Sequence, residues 1–472
     1  MVVIPAARPL FAWDELEDSP SLRTVKEILV ALPDAQLLDS LRRARGKGRD
    51  DYPVHVLWGA VVLRVVLRHV TTEATLAELR RNAGLRALIG IDFEAGVPKA
   101  WNISRFEETL GQEPHRTLLR EVFHRLIRRL GVAIPTLGVH AAGDATALSA
   151  RRTSAEGAAE EAEGGLPQAS GGRKEYTDDD GKVTKVVEWF GFKLHLIVDV
   201  KNEVALSYEV TDTKAGDGET LPAVLRQAEA NLPPGRIKTL AYDKAADTDE
   251  VHRDLSRAGI TPLIQMRALW KAEPERLLPG HDGTSNVVYD ELGTIYCYDK
   301  MSEPPVRHKM SFIGHEPGRE ALKYRCPAKH EGWECPMSAA CNAGKSYGKT
   351  VRVPRGVDAR RFPPLPRATK KFERMYKGRT AVERVNARLK LFWGVDDGNV
   401  KGSRRFVAQV GVVMAVHAAF AAVLASAPRR EGVLGRTSLS PVAEALRAAS
   451  AAEAGPEAPG EASPGAGPPL AG

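Results

Sequence analysis

The segment Tyr376–Lys390 reads YKGRTAVERVNARLK and carries one acidic residue, Glu383, among its cations. From position 360 to 390 there are eleven Lys or Arg residues against two acids. A carboxylate weakens a surface that only binds a polyanion. If a metal ion lies between the carboxylate and a phosphate, the ion attracts both groups. The segment therefore predicts metal-assisted chemistry on a phosphodiester. The alternative is a solvated helix with an Arg379–Glu383 ion pair of little energetic weight.

Helical spacing gathers the polar side chains of this segment on one side. At about 100° per residue, Tyr376, Arg379, Glu383 and Lys390 fall within roughly 60° of one another. The opposite side is apolar and predicts a core-facing surface, formed by Ala381, Val382, Val385, Leu389 and Phe392. We therefore expect a helix with a polar stripe over a buried face.

Two aspartates follow strand-like runs elsewhere in the chain. Asp144 ends the run GVHAAGD, and Asp243 ends the run KTLAYD. Ligand-binding groups gather at strand ends in open α/β sheets, although an Asp there is also a common helix cap or turn former. With Glu383 they supply three carboxylates, which suit two Mg²⁺ or Mn²⁺ ions because hard cations prefer carboxylate oxygens. The nearby cations would then hold the phosphodiester backbone.

The elements that must position these residues are of two kinds. Residues 21–130 predict a helical domain, with helices at 21–32, 34–45, 53–68, 73–82 and 103–130. Residues 131–425 predict a mixed α/β domain, with strands at 136–144, 186–200, 204–210, 237–243 and 261–266, and helices at 219–230 and 248–259. The stretch TTEATLAELRRNAGLRALIG in the first domain is typical of a DNA-binding helix–turn–helix and equally of an ordinary helical bundle.

Composition distinguishes the segments outside these elements. Residues 1–20 form an N-terminal arm, and residues 151–185, rich in Glu, Gly and Ser, predict an exposed, mobile insertion. Residues 426–472 are an Ala, Pro, Gly and Glu tail that cannot bury a core and is expected to be disordered.

Charge and apolar content indicate a soluble cytosolic protein with an anionic partner. The 472 residues carry a formal charge of +7, and a second basic cluster lies at His115–Arg129. Four cysteines in this length argue against a secreted disulfide scaffold. The N-terminus lacks the pattern of a signal peptide, and the apolar runs at 54–66 and 406–425 are expected to be too short or too polar to span a membrane.

The chain resembles bacterial insertion-sequence transposases of the DDE superfamily, which have an RNase H-like catalytic core. Tyr376, Arg379, Glu383 and Lys390 match the family's Tyr-(2)-Arg-(3)-Glu-(6)-Lys pattern at every spacing. GFKLHLIVDV is similar to the strand after the first catalytic Asp, and LKLFWGVDDGNVKG to the stretch after the Glu. The resemblance covers roughly residues 20–425. It implies an RNase H-like mixed sheet flanked by helices, an all-helical N-terminal domain, and an insertion before the last catalytic helix.

The resemblance also assigns roles to residues. Asp144, Asp243 and Glu383 match the three catalytic acids, which bind two Mg²⁺ or Mn²⁺ ions. Tyr376, Arg379 and Lys390 would hold flanking phosphates. Lys193 is expected to be a further DNA contact. Where the family usually has a Gly-Tyr pair shortly after the second Asp, this chain has Ala245 and Ala246.

The implied function is transposition. The protein would bind the terminal inverted repeats of its element as double-stranded DNA, cleave a strand and join the 3′-OH to target DNA, with a homodimer expected in the DNA complex. One alternative is a catalytically impaired descendant that acts as a DNA-binding regulator. Another is an RNase H-like nuclease without strand transfer.

The cysteines lie in a predicted insertion at about 270–365. Cys326, His330, Cys335 and Cys341 could supply four zinc ligands, with Cys297 as an alternative fourth. The spacing matches no strong pair of CxxC motifs, so ordinary reduced cysteines are the other interpretation. His195 is interpreted as a sheet residue near the site, and Trp393 as a core residue in preference to a platform for a displaced base.

Overall fold

The computed structural model describes residues 20–46, 52–151, 165–177, 182–267, 270, 274–279, 286–397 and 400–426. The predicted N-terminal arm and disordered tail lie outside these residues, apart from the single positions 20 and 426 where the first and last helices reach into them.

The N-terminal part of the described chain is helical, as predicted. Its helices are α1 (Pro20–Ala31), α2 (Ala35–Arg45), α3 (Val54–Val66), α4 (Thr72–Arg81), α5 (Ala83–Leu88), α6 (Ala100–Leu110) and α7 (His115–Ala133). The single helix predicted at 103–130 is two helices, because the chain turns between Gly111 and Pro114. Gly111 is required at this turn: a Cβ there would lie 2.2 Å from the carbonyl oxygen of Arg404.

A mixed sheet forms the centre of the second part. Its strands are β1 (His140–Ser149), β2 (Ser170–Thr177), β3 (Val183–Asp199), β4 (Ala205–Thr211), β5 (Thr239–Tyr242) and β6 (Thr261–Ile264). β4, β3 and β1 pair antiparallel, and β1, β5 and β6 pair parallel. Helices α8 (Asp217–Asn231) and α9 (Asp249–Arg257) connect the later strands. This is an RNase H-like α/β fold, as the sequence predicted.

Two sequence-based expectations for this sheet are wrong. Asp144 does not end its strand but lies inside β1, opposite Leu196 of β3, because pairing continues to Ser149. Residues 170–177, expected within a mobile insertion, form β2 and pair with β3. The glycines and serines of that segment suggested disorder, but the long strand β3 offers them a backbone partner. Residues 152–164 and 178–181 of the insertion lie outside the described chain.

The predicted insertion is present between β6 and the segment that carries Glu383. It contains strands β7 (Glu275–Leu277), β8 (Val287–Asp290), β9 (Ile295–Asp299), β10 (Val306–Lys309), β11 (Ser311–Glu316), β12 (Ala321–Arg325) and β13 (Thr350–Pro354), and short helices α10 (Pro327–Glu331) and α11 (Ser338–Asn342). The strands form two antiparallel sheets, β10-β9-β8-β7 and β11-β12-β13. They enclose a small core of their own, separate from the main core of the protein.

The chain ends its described part with α12 (Lys370–Tyr376), α13 (Thr380–Leu391) and α14 (Ser403–Ser426). α14 packs against α7, α6 and α1 and so joins the N-terminal helices to the sheet domain in one main core. By length and composition alone this helix could cross a membrane, so the expectation that the run was too short or too polar is wrong. In the structure, 78% of its most apolar window is buried inside the protein.

Candidate active site

Three aspartates meet beside the central strands β1 and β5. Asp144 lies in β1, Asp217 begins α8, and Asp243 follows β5 directly. One carboxylate oxygen from each lies within 4.8 Å of the other two. All three side chains are partly exposed, so solvent and a substrate can reach the group. The structure thus brings Asp144 and Asp243 together as predicted and adds Asp217, which sequence reasoning missed.

Local packing explains how two of these acids come together. Gly143 allows the ring of Tyr242 to lie against β1, since a Cβ at Gly143 would be 2.4 Å from that ring. Tyr242 is buried, and burial together with the charges of Asp217, Asp144 and Asp243 raises its pKa well above its ordinary value. Asp243 caps the short 3₁₀ turn Lys244–Ala246 by accepting the N–H of Ala245 at 2.8 Å.

Glu383 reaches the aspartates through an arginine. Arg379 donates to Glu383 Oε1 at 2.5 Å, and its other terminal nitrogen lies 3.7 Å from Asp144 Oδ2. Burial lowers the pKa of Arg379, but Glu383, Tyr376 and Asp144 together raise it above its ordinary value. Glu383 itself is about half exposed. The predicted Arg379–Glu383 pair is therefore present, and it also touches the first acid.

The predicted single helix over residues 376–390 is interrupted. α12 ends at Tyr376, a 3₁₀ turn covers Lys377–Arg379, and α13 begins at Thr380. Gly378 sits at this turn, where a Cβ would meet Val200 at 2.9 Å, so the turn packs closely against the end of β3. The core-facing side is confirmed for the fully buried Ala381, Val382, Val385 and Leu389, whereas Phe392 is half-buried.

Ion pairs fix α13 in place over the sheet. Glu203, in the turn between β3 and β4, pairs with Arg384 at 2.6 Å and also with Arg388. Lys390 donates to the backbone oxygen of Ala147 in β1 at 2.5 Å and lies 3.2 Å from Asp396. Lys390 thus points towards β1, and its ammonium holds the helix that carries Glu383 against the strand that carries Asp144.

Lys193 and His195 of β3 lie beside Asp217. The Lys193 ammonium donates to the oxygen of Ala215 at 2.9 Å and lies 3.5 Å from Asp217 Oδ1. His195 is buried, bonds Thr211 at 2.9 Å, and has its Nδ1 3.9 Å from Asp217. Burial lowers the pKa of His195 to about 4, so the ring is neutral at pH 7. His195 is a sheet residue near the site, as predicted.

The basic clusters on α7 and α12 differ in the surroundings of their cations. On α7, Arg120 forms a two-bond pair with Glu209 at 2.9 Å, and Arg125 and Arg128 pair with Glu121. On α12, by contrast, the cations Lys370, Lys371 and Arg374 are exposed. This helix leads directly into Arg379. An open cleft of about 810 Å³ borders Asp217 and Asp243 and is also lined by Lys244 and Arg267.

Comparison with protein-family profiles agrees with the resemblance found in the sequence. The profile of a family described as "Transposase DDE domain" matches residues 136–418, more than half of the chain. The chain belongs to the DDE transposase family. A second profile, "Transposase domain (DUF772)", matches residues 14–109 of this transposase. No curated protein gives a match to the chain.

The donor set of this transposase fits divalent ions. The family uses such ions, and the three aspartates offer carboxylate oxygens at spacings that one or two hard cations can bridge. The rule that selected the other two acids does not find Asp217, because this residue lies six positions after the end of β4. It begins a helix, and the sequence KAGDGET around it reads as an ordinary turn and helix start.

The remaining sequence-predicted residues lie elsewhere. Trp393 is 1% exposed and belongs to the main core, as predicted. Cys297, Cys326, Cys335 and Cys341 lie in the insertion, with all four thiols free. His330, the histidine of the predicted zinc set, lies with its Nδ1 3.5 Å from Arg325 at the protein surface.

Proposed function

We propose that this transposase binds double-stranded DNA at the terminal inverted repeats of its own insertion sequence, cleaves one strand to expose a 3′-OH, and joins that 3′-OH to target DNA. Both reactions are in-line phosphoryl transfers, so one site can serve them in turn. The observation that carries the proposal is the group of aspartate oxygens within 4.8 Å of one another, next to the basic segment that holds Glu383.

We assign the ion-binding role to Asp144, Asp217, Asp243 and Glu383, with two Mg²⁺ or Mn²⁺ ions as the cofactors. Bound there, such ions would stabilise the charge that develops on the scissile phosphate and lower the pKa of the attacking water. Glu383 is included because Arg379 links it directly to Asp144. Three aspartates alone carry a charge of −3, which supports two divalent ions better than a single one.

Arg379 and Tyr376 would position the DNA strand. The guanidinium of Arg379 can form two parallel hydrogen bonds to a phosphate, and it already lies between two of the carboxylates. Burial raises the pKa of Tyr376. The charge of Arg379 opposes this rise, whereas the charges of Asp243 and Asp144 add to it. Tyr376 therefore remains a phenol that can donate a hydrogen bond to a phosphate oxygen.

Lys193 and Lys390 would act on DNA mainly through position and charge. Each ammonium binds a backbone carbonyl next to the site, that of Ala215 for Lys193 and that of Ala147 for Lys390. Each therefore brings a positive charge close to the carboxylates while holding an element in place. The exposed cations of α12 are the better placed to grip the approaching backbone.

The helical N-terminal region would supply sequence recognition at the DNA ends, since it is large enough to read a repeat and packs on the sheet domain through α14. Two ends must be held together for transposition, so we propose a homodimer in the DNA complex. We place this activity in the cytoplasm, where the DNA of a bacterial host lies.

A strand-transfer assay tests the proposal. Labelled DNA carrying the terminal repeats of the element is incubated with the full-length protein, Mg²⁺ and a supercoiled target plasmid. We expect label joined covalently to the target, and no joining with Asp243→Asn. Cleavage without joining would favour an RNase H-like nuclease. Binding without cleavage by the wild-type protein would favour a DNA-binding regulator.

A further inference from the structure

Arg68 reaches from the N-terminal helices to the end of the helix that carries Glu383. It lies two positions after α3, and its backbone is in the left-handed region, with a φ of 59°. A residue with a side chain is disfavoured in that region, so a position of this kind indicates that other contacts hold it. The contacts of Arg68 are with Lys390, Leu391 and Asp397, more than 300 positions later in the chain.

The guanidinium of Arg68 binds the carboxyl end of α13. Its Nε donates to the backbone oxygen of Leu391 at 3.0 Å, and its Nη2 donates to that of Lys390 at 3.3 Å. The last four carbonyl groups of a helix have no partner within the helix, and a positive charge beside them is favourable. Arg68 therefore caps α13 from the helical N-terminal region.

The same guanidinium forms a two-bond ion pair with Asp397. Its Nη2 donates to Asp397 Oδ1 at 2.9 Å, and its Nη1 donates to Oδ2. Both side chains are partly buried, with 30% of Arg68 and 25% of Asp397 exposed. Parallel hydrogen bonds between a guanidinium and a carboxylate are strong and fix the orientation of both groups. Arg68 thus connects the end of α13 to the loop that follows it.

Gly394 shows how closely this loop packs around the ion pair. Its φ is +64°, and a Cβ there would overlap both Asp397 Oδ2 and Arg68 Nη1. The loop also folds back on the helix, because the N–H of Val395 donates to the oxygen of Leu389 at 3.1 Å. The path of the chain after α13 therefore depends on the Arg68–Asp397 pair.

The residue before Asp397 binds the strand that carries Asp144. Asp396 accepts the backbone N–H of Ser149 at the end of β1 and lies 3.2 Å from the Lys390 ammonium. Two consecutive aspartates thus bind two different parts of the protein, Asp397 the N-terminal helices and Asp396 the sheet. A continuous series of polar contacts runs from Arg68 to β1 and α13.

We propose that Arg68 is a positioning residue for the active site and couples the helical N-terminal region to the placement of Glu383. Its guanidinium is engaged by Asp397 and by two carbonyl groups, so it acts by holding α13 and not by contacting DNA. Without Arg68, the end of α13 and the loop after it lose their tie to the N-terminal helices. This inference rests on the proposed function, because it takes Glu383 as a ligand of the ions that serve DNA cleavage.

Cleavage kinetics test the proposal. Arg68→Ala is expected to lower the cleavage rate at saturating terminal-repeat DNA by about tenfold, because a displaced catalytic group is costly. The DNA concentration that gives half the maximal rate should change by less than about twofold. Arg68→Lys should not restore the rate, since an ammonium group cannot form the two parallel bonds. Arg257→Ala, which breaks an exposed pair with Asp254, is the matched control and should behave as wild type.

The opposite kinetic result is equally clear. A wild-type rate in Arg68→Ala, or a loss confined to the affinity for DNA, would overturn the proposal. A double-mutant cycle then separates a shared contact from general destabilisation. With all assays well below the melting temperatures, Arg68→Ala combined with Asp397→Ala should be no slower than the slower single variant. Effects that multiply would show that the two residues do not act through one contact.

Mn²⁺ binding without DNA separates this proposal from the proposed function. Arg68→Ala and Asp397→Ala should each bind Mn²⁺ about threefold more weakly than wild type, less than the roughly tenfold loss typical of groups that contact a metal ligand directly. Unchanged Mn²⁺ affinity in a folded Arg68→Ala protein would overturn the positioning role. Weaker binding by this variant, together with a wild-type protein that does not cleave DNA, would support the positioning role and overturn the proposed cleavage alone.

Discussion

Arg379 forms a bridge between two acids of the site: it donates to Glu383 at 2.5 Å and lies 3.7 Å from Asp144. The first and the last acid along the chain are thus connected by one guanidinium. We propose that the same guanidinium contacts a DNA phosphate close to the scissile bond. On this proposal, divalent ions and Arg379 compete for the same carboxylate charge until a phosphate binds the guanidinium.

Removing this arginine should separate ion binding from DNA cleavage. Arg379→Ala is expected to raise the affinity for Mn²⁺ in the absence of DNA by roughly fivefold, because the guanidinium no longer competes with the ion for the carboxylates. This factor corresponds to about 1 kcal/mol. The same variant should cleave DNA more slowly, because a phosphate contact is lost. Mn²⁺ titration by electron paramagnetic resonance and a cleavage assay measure the two effects. Equal or weaker Mn²⁺ binding would argue against the competition.

Asp217 should be as necessary as the acids found from the sequence. Asp217→Asn is expected to weaken Mn²⁺ binding at least about tenfold and to reduce cleavage accordingly. Glu250→Gln is a matched control, because Glu250 lines the same cleft but does not belong to the aspartate group. If the two variants behave alike, Asp217 serves as a helix cap and has no role in ion binding.

The exposed cations of α12 should dominate the salt dependence of DNA binding. The wild-type slope of log affinity against log salt is expected to be steeper than about −4, at roughly −0.9 for each phosphate neutralised. Replacing Lys370, Lys371 and Arg374 by Ala should make the slope shallower by about 2 to 3. The control replaces Arg125 and Arg128, which pair with Glu121. A larger change in that control would move the DNA contact to α7.

Stability should depend on the buried carboxylate of Asp247. It accepts the backbone N–H of Arg267 at 2.8 Å, lies 3.2 Å from the buried Arg367, and lies 3.0 Å from His252. Asp247→Asn is expected to cost about 3–5 kcal/mol in free energy of unfolding, because it leaves a buried guanidinium unpaired. Asp254→Asn, in an exposed pair with Arg257, should cost below about 1 kcal/mol.

The same contribution should vary with pH. Burial raises the pKa of Asp247, but the hydrogen bonds from His252 and Arg267 and the charge of Arg367 lower it below its ordinary value of 3.8. The unfolded chain therefore takes up this proton first on acidification. The stabilisation is complete at neutral pH and is lost as the pH falls below 3.8 through the lowered pKa. Urea unfolding of wild type and Asp247→Asn should converge in acid, and a constant gap would contradict this assignment.

Periodicity predicted the parts of the fold that depend on local pattern. The buried side of α13 is confirmed by Ala381, Val382, Val385 and Leu389, each 0% exposed. The helical N-terminal region and the mixed sheet also follow from alternation and helical spacing. The 3₁₀ break at Lys377–Arg379 was missed, because it depends on contact between Gly378 and Val200, far apart in the chain.

Long-range contacts explain what the sequence could not predict at the site. Lys390 falls on the polar stripe, yet its ammonium turns to Ala147 of a strand more than 240 residues earlier. From the sequence, Asp217 reads as an ordinary residue at a helix start. Only the folded sheet domain places it beside Asp144 and Asp243.

Ion-dependent cleavage of terminal-repeat DNA tests most directly whether the grouped carboxylates bind the ions that drive DNA cleavage. The variants are Asp144→Asn, Asp243→Asn and Glu383→Gln. DNA binding by each variant is matched to wild type in a gel shift before Mg²⁺ or Mn²⁺ is added. We predict normal DNA capture and no cleavage at any ion or DNA concentration. Wild-type cleavage by any one variant would remove that residue from the site, and wild-type cleavage by all three would contradict the account.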